Sequence, residues 1–238
     1  MTPIDLFPDF FEAKKSGLKC LKGNLSQALP LDSSSCQILI CQEGIEHLSD
    51  QLKAIKEFYR VLSKDGRLFI TAPNYSHFRT KLSYLLNESE IYKRLPANEL
   101  DDIWHSDSDE FYYGHIFMIG LQKLRVLGRL SGFKITRLHK VKISWTSLLL
   151  GLPIYPFAVI VSCLAYLRVM RKQRAFDKST KKRIYREVLK YNIHPKVLFG
   201  RHLFVEFQKV DLTEAIPEPT KTGYSAPEPV KRLQSSLT

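Results

Sequence analysis

Only four cysteines occur in 238 residues, Cys20, Cys36, Cys41 and Cys163, and no two of them have CxxC or other metal-ligand spacing. This excludes a zinc-ribbon framework and predicts free, mostly buried thiols in a reducing compartment. HExxH and GxSxG are both absent, so the metallopeptidase and serine-hydrolase motifs have no footing. The opening MTPIDLFPDFFEAKK has neither the basic start nor the apolar core of a secretory signal, which points to a cytoplasmic chain. Acidic residues are scarce in one place. Between 168 and 190, ten Lys or Arg face only Asp177 and Glu187, so +8 of the formal charge of +12 lies in that stretch. Such local basicity suits an anionic membrane surface or nucleic acid, and equally a solvated lysine-rich helix. The few aromatics there to stack on bases, Phe176 and Tyr185, and an apolar neighbour argue against nucleic acid.

What is present has an α/β order. Residues 38–41 form a short unbroken apolar run, the pattern of a strand buried on both faces. Ser49 or Asp50 can cap a helix whose apolar residues Leu52, Ile55, Tyr59 and Leu62 fall at helical spacing. Lys64-Asp65-Gly66 turns the chain into a second buried strand at 68–70. Parallel strands joined by a crossover helix explain this order best. A polar, aromatic-rich stretch at 75–113 follows, with Asp101, Asp102, Asp107, Asp109 and Glu110, and reads as an irregular, lid-like insertion. Leu121, Leu124, Leu127 and Leu130 line one helical face closed by Gly132. Strands are expected at 133–143 and 202–208, and a disordered polar tail at 211–238.

Residues 143–167 run 25 residues without a charge, long enough to cross a bilayer. Pro153 and Pro156 are expected to break the run into two shorter halves. A peripheral or re-entrant membrane contact, a single span and a buried hairpin all remain open. Trp145 and Tyr155 suit an interface, with Arg168, Arg171, Lys172 and Arg174 facing anionic headgroups.

Together, NLSQALPLDSSSCQILICQEGIEHL, EFYRVLSKDGRLFITAPN and GHIFMIGLQKLRVLGRLSGF resemble the class I S-adenosylmethionine-dependent methyltransferases. Within that superfamily the chain looks like the bacterial branch that includes the ubiquinone-biosynthesis O-methyltransferases. The resemblance implies a Rossmann-like sheet with its last strand antiparallel. The core would be 1–142, the apolar-then-basic insert 143–190, and the final strand region 191–210. It implies transfer of a methyl group from S-adenosylmethionine to a small, lipid-soluble or membrane-presented acceptor. By the same resemblance, Asp5 and Leu6 would meet the ribose, Asn24 and Leu25 the adenine, and Gln42 the methionine portion. Asn74 and Tyr75 would face the substrate. The strand and glycine-rich loop that open the family's fold have no counterpart, since only 1–4 precede Asp5. The alternative is therefore a catalytically inactive, membrane-associated remnant.

Glu43, Glu46 and His47 fall within five positions after the first strand. The resemblance implies that Glu-x-x-Glu-His binds a divalent cation such as Mg, which would lower the pKa of an acceptor oxygen. Without metal, His47 is a candidate general base. The plain alternative is that Glu46 is hydrogen-bonded to backbone where a loop and helix begin. His115 is the remaining catalytic candidate.

Overall fold

The computed structural model describes residues 1–11, 17–89, 94–105, 111–172 and 176–216. Two very short strands, β1 (Ile4–Asp5) and β2 (Leu21–Lys22), pair in parallel. The main sheet then begins with β3 (Cys36–Gln42), α1 (Gln51–Val61) and β4 (Leu62–Pro73), a parallel pair joined by a crossover helix as the sequence predicts. Asp50 is the cap: its carboxylate accepts the Lys53 N–H at 2.9 Å.

Next come α2 (Phe78–Asn87), a hairpin of β5 (Ile103–His105) and β6 (Phe111–Tyr113), α3 (Leu121–Leu130) and β7 (Phe133–Leu138). The long α4 (Trp145–Lys172), α5 (Lys178–Asn192) and the short α6 (Pro195–Phe199) lead to β8 (His202–Lys209) and α7 (Leu212–Ala215). The sheet order is β3-β4-β8-β7, with β8 antiparallel to both neighbours. This is the expected mixed α/β sheet with its last strand reversed.

The core lies on one face of that sheet. Leu68, Ile70 and Ala72 of β4 and Leu203, Val205 and Phe207 of β8 alternate inward and meet Ala54, Ile55 and Phe58 of α1 and Leu121 and Leu124 of α3. Gly132 takes φ +85° after α3, and a Cβ there would sit 2.4 Å from the Tyr59 ring, so both conformation and space require glycine.

Four expectations are corrected. The apolar run of β3 is not buried on both faces: Ile38 and Ile40 are 61% and 65% exposed, because α1 and α3 cover only the opposite face. The insertion at 75–113 is more regular than its polarity implies, holding α2 and the β5–β6 hairpin, although 106–110, with Asp107, Asp109 and Glu110, lie outside the described residues. Pro153 and Pro156 do not break the apolar run; α4 is one helix with both rings on exposed positions. Order extends beyond 211, since α7 buries Ala215, while 217–238 lie outside the described residues.

Candidate active site

The chain leaves β3 through a left-handed residue, Glu43 at φ +45°, and enters a 3-10 turn, Ile45–His47. A non-glycine residue in that region is strained, and its neighbours hold it: the Glu43 N–H donates to the Thr71 carbonyl at 3.1 Å. The reversal separates the three polar residues that the sequence places together. Glu43 turns toward the start of β8, with Oε1 3.5 Å from His202 Nδ1. Glu46 turns inward and is 1% exposed. His47 lies between them and the β5–β6 hairpin.

A second 3-10 turn, His115–Phe117, supplies the third member of the cluster. Ligand-capable atoms of Glu46, His47 and His115 lie within 4.8 Å of one another, and the two imidazoles are 5.3 Å apart at their centroids. The predicted trio Glu43, Glu46 and His47 is thus replaced by Glu46, His47 and His115. Gln51, in the first turn of α1, locks the two turns together by donating from Nε2 to the Ile45 carbonyl at 3.0 Å and to that of Phe117. The sequence offered one signal for this residue, a polar side chain on the inward face of α1.

The electrostatics follow from burial. Neither Glu46 oxygen receives a hydrogen bond from another of the described residues, and the backbone group that acts on this carboxylate is Glu46's own N–H. Burial raises its pKa above the usual carboxylate range, with His47 and His115 opposing the rise. His47 Nδ1 lies 2.8 Å from the Tyr113 carbonyl oxygen. A carbonyl can only accept, so Nδ1 carries the proton and Nε2 the lone pair, 4.0 Å from Glu46 Oε1.

His115 also lines a small open cleft with Tyr75, Tyr84 and Ile116. Arg94 and Asp102 complete one wall through an ion pair at 2.9 Å, with Asp102 buried. Tyr75, one of the two expected substrate contacts, is thus part of the cleft lining. Asn74 differs. It is buried, its Nδ2 donates to the Val197 and Gly200 carbonyls, and its Oδ1 accepts the Ser76 N–H, so its amide fastens the end of β4 to the α6 region.

The residues expected near a nucleoside sit at strand ends. Asp5 closes β1, Asn24 and Leu25 follow β2, and a Cβ on Gly44 would lie 3.3 Å from Leu25 Cδ1, so the carboxyl end of β2 meets that of β3. Asp5 Oδ1 accepts the Phe7 N–H and Asn24 Oδ1 the Ser26 N–H, both at 2.8 Å. Leu6 is half-buried beside Asp5, and Gln42 is exposed at the end of β3.

Residues 2–70 match the methyltransferase domain family. The match ends inside β4 and contains Asp5, Asn24, Gln42, Glu46 and His47. No curated protein matches the chain in sequence. Among solved structures, a SAM-dependent methyltransferase from Archaeoglobus fulgidus is similar at 11% identity and TM-score 0.46, covering 87% of this chain and 75% of its own. One from Methanosarcina mazei is similar at 14% and 0.45, covering 88% and 81%. One from Mesorhizobium loti is similar at 9% and 0.43, covering 87% and 80%.

Proposed function

We propose that this chain is an S-adenosylmethionine-dependent methyltransferase acting on a small, lipid-soluble acceptor. The observation that carries the reading is the cluster of Glu46, His47 and His115, which follows the family-matched strand β3 and borders the cleft containing Tyr75. The residues present fit one side of the cofactor. The Asp5 carboxylate and the Asn24 amide oxygen keep lone pairs beyond the local bonds they make, enough to accept hydrogens from ribose hydroxyls and an adenine amino group. When bound, S-adenosylmethionine supplies an electrophilic methyl group.

The chain's own part is proton management. His47 Nε2, with its lone pair fixed by the Tyr113 carbonyl, accepts the proton of an acceptor hydroxyl as its oxygen becomes the nucleophile. Glu46 stands beside the imidazolium that results and, when ionised, offsets its charge. Tyr75 and Ile116 give the acceptor an apolar wall.

A second reading of the same cluster is favoured by the two Glu46 oxygens, which take no hydrogen bond from another of the described residues. A divalent cation, Mg²⁺ in the ubiquinone-type branch, would be held by Glu46, His47 and His115 and would polarise the acceptor oxygen. Incubation with methyl-labelled S-adenosylmethionine and extracted lipids tests the main reading: label should enter the organic phase with wild type and not with His47→Gln. Thermal melts in Mg²⁺, Mn²⁺ or EDTA separate the two readings. A cation-dependent rise that Glu46→Gln abolishes supports the metal. Absence of transfer from every lipid fraction, with no binding of S-adenosylmethionine by calorimetry, would leave the chain as a methyltransferase-like binding protein.

A further inference from the structure

α4 has two faces that composition does not distinguish. Leu148, Tyr155 and Ala158 pack inward against Phe78, Leu198 and Phe199. Leu149, Phe157, Val161, Leu164 and Leu167 stand away from that contact, and all are exposed. Only 6% of the most apolar 18-residue window is buried, so the helix is not the core hairpin of a soluble protein. An apolar strip of this length facing outward marks an interaction surface.

Its neighbour carries the complementary charge. On α5, Lys178, Lys182, Arg186 and Lys190 recur every fourth residue, which places them along one helical stripe, and all four are exposed. The nearest acid on that helix, Glu187, is occupied by Arg129 at 2.9 Å. Among the described residues no acid pairs with the stripe.

We propose that the α4–α5 hairpin is a docking element for an anionic lipid bilayer, in which α4 lies in the plane of the interface and does not cross it. Length alone permits a crossing, since 28 residues at about 1.5 Å each exceed the ~30 Å hydrocarbon core. The attachment of α5 forbids it. The Tyr155 hydroxyl donates to the Ile193 carbonyl at 3.0 Å, Asn192 Nδ2 to Ser162 Oγ at 2.7 Å, and Lys181 Nζ to the Met170 carbonyl at 3.2 Å. These bonds tie α5 along most of α4, so a crossing would carry the basic stripe into hydrocarbon, where such side chains are costly. The prolines agree. Pro153 and Pro156 deprive the carbonyls of Leu149 and Leu152 of their helical donors, and these groups can be hydrated at the headgroup level but not in the bilayer centre. An in-plane helix with its apolar side in the acyl boundary and Arg168, Arg171 and the α5 stripe among phosphates satisfies every group. The inference does not depend on the methyl-transfer reading.

Flotation of the full chain with phosphatidylcholine vesicles, with and without one quarter phosphatidylserine, tests it. Wild type should float with both and more strongly with the anionic set, and the difference should vanish near 1 M salt, where the screening length falls to about 3 Å. Lys182→Gln/Arg186→Gln/Lys190→Gln should lower partition to anionic vesicles roughly a hundredfold, at about tenfold or less for each charge, and leave neutral vesicles unaffected. Phe157→Asp/Leu164→Asp, both at exposed positions, should release the protein from both sets. Ser162→Cys/Asn192→Cys in a Cys163→Ser background locks α5 to α4. Undiminished flotation of the oxidised form supports the in-plane arrangement, whereas binding that requires reduction would overturn it in favour of a span. Wild type that stays unbound and runs as a lipid-free oligomer would overturn the docking proposal and assign the apolar face to a second copy.

Discussion

His47 donates its Nδ1 proton to the carbonyl oxygen of Tyr113, 2.8 Å away, and this one bond leaves Nε2 as the nitrogen that faces Glu46. A base whose tautomer is fixed by a backbone carbonyl needs no reorientation before it accepts a proton. His47→Gln keeps a donor toward Tyr113 and removes the titratable lone pair. The expected result is a fall in kcat of about 10²–10⁴, the usual contribution of a positioned general base. The melting temperature should be nearly unchanged, because His47 is only half-buried. A variant that keeps wild-type kcat would remove His47 from the chemistry.

Gln51 acts through others. Its amide joins the Ile45 and Phe117 carbonyls, so it sets the distance between the turn bearing Glu46 and His47 and the turn bearing His115. Gln51→Leu keeps the volume and loses both bonds, leaving two carbonyls without a donor at a cost of about 1–3 kcal/mol each at most. Stability should drop by that order in urea melts. The diagnostic readout is kinetic: kcat should fall while KM for S-adenosylmethionine stays near wild type, since Asp5 closes β1 and Asn24 follows β2, outside the two turns that Gln51 joins. Equal losses in both parameters would argue for general unfolding.

β3 is the edge of the main sheet, with no described strand on its outer side, and Ile38 and Ile40 point from its uncovered face. An exposed apolar edge strand pairs with other chains. Ile38→Thr/Ile40→Thr keeps β-branched side chains and should raise the concentration at which light scattering detects association, with little change in melting temperature. Unchanged association would move the responsible surface elsewhere, α4 first.

Periodicity is a local property, and the parts of this fold that it governs were readable from the sequence. The strands β3, β4 and β8, the leucine face of α3, the Asp50 cap and the αL glycine at 132 depend on residues within a turn or two of each other. The reversal of β8 also followed, because the long insert frees that strand from a crossover. The site was legible in its residue types and less so in its membership. Glu43 and Glu46 are three residues apart, yet a left-handed φ at Glu43 sends their carboxylates to different neighbours, and no spacing rule encodes that. His115 joins the cluster through Gln51 and the Tyr113 carbonyl, contacts 66 residues apart in sequence. The continuity of α4 was missed because proline rules price the lost bonds and ring clash for a buried helix. Here both rings sit on the exposed side, where the freed carbonyls are not sealed in the core.

His77 gives the molecule a pH dependence that can be separated from the active site. It precedes α2, is buried, and bridges to α4: Nδ1 lies 2.8 Å from Ser147 Oγ and Nε2 2.8 Å from Thr80 Oγ1. Burial first, and then the cationic Arg79, His202, Lys81 and Arg201, lower its pKa to about 4. The unfolded chain takes up this proton near pH 6.5 and the folded one only near 4, so between those values the unfolded state binds more protons. Stability is therefore full above about pH 6.5 and declines as pH falls toward 4. The whole shift corresponds to a loss on the order of 3 kcal/mol. Other groups change protonation in the same range, among them Glu46 with its raised pKa and His194 with its lowered one, so the His77 contribution is read as the difference between wild type and a His77 variant. Chemical denaturation between pH 6.5 and 5 should show wild type losing stability as pH drops, and His77→Gln, whose amide can still bond the two hydroxyls, should show a shallower slope. The loss should appear first as release of α4 from α2, visible as faster exchange of α4 backbone amides. A wild-type profile as flat as the variant's would mean that His77 accepts its proton in the folded state without penalty.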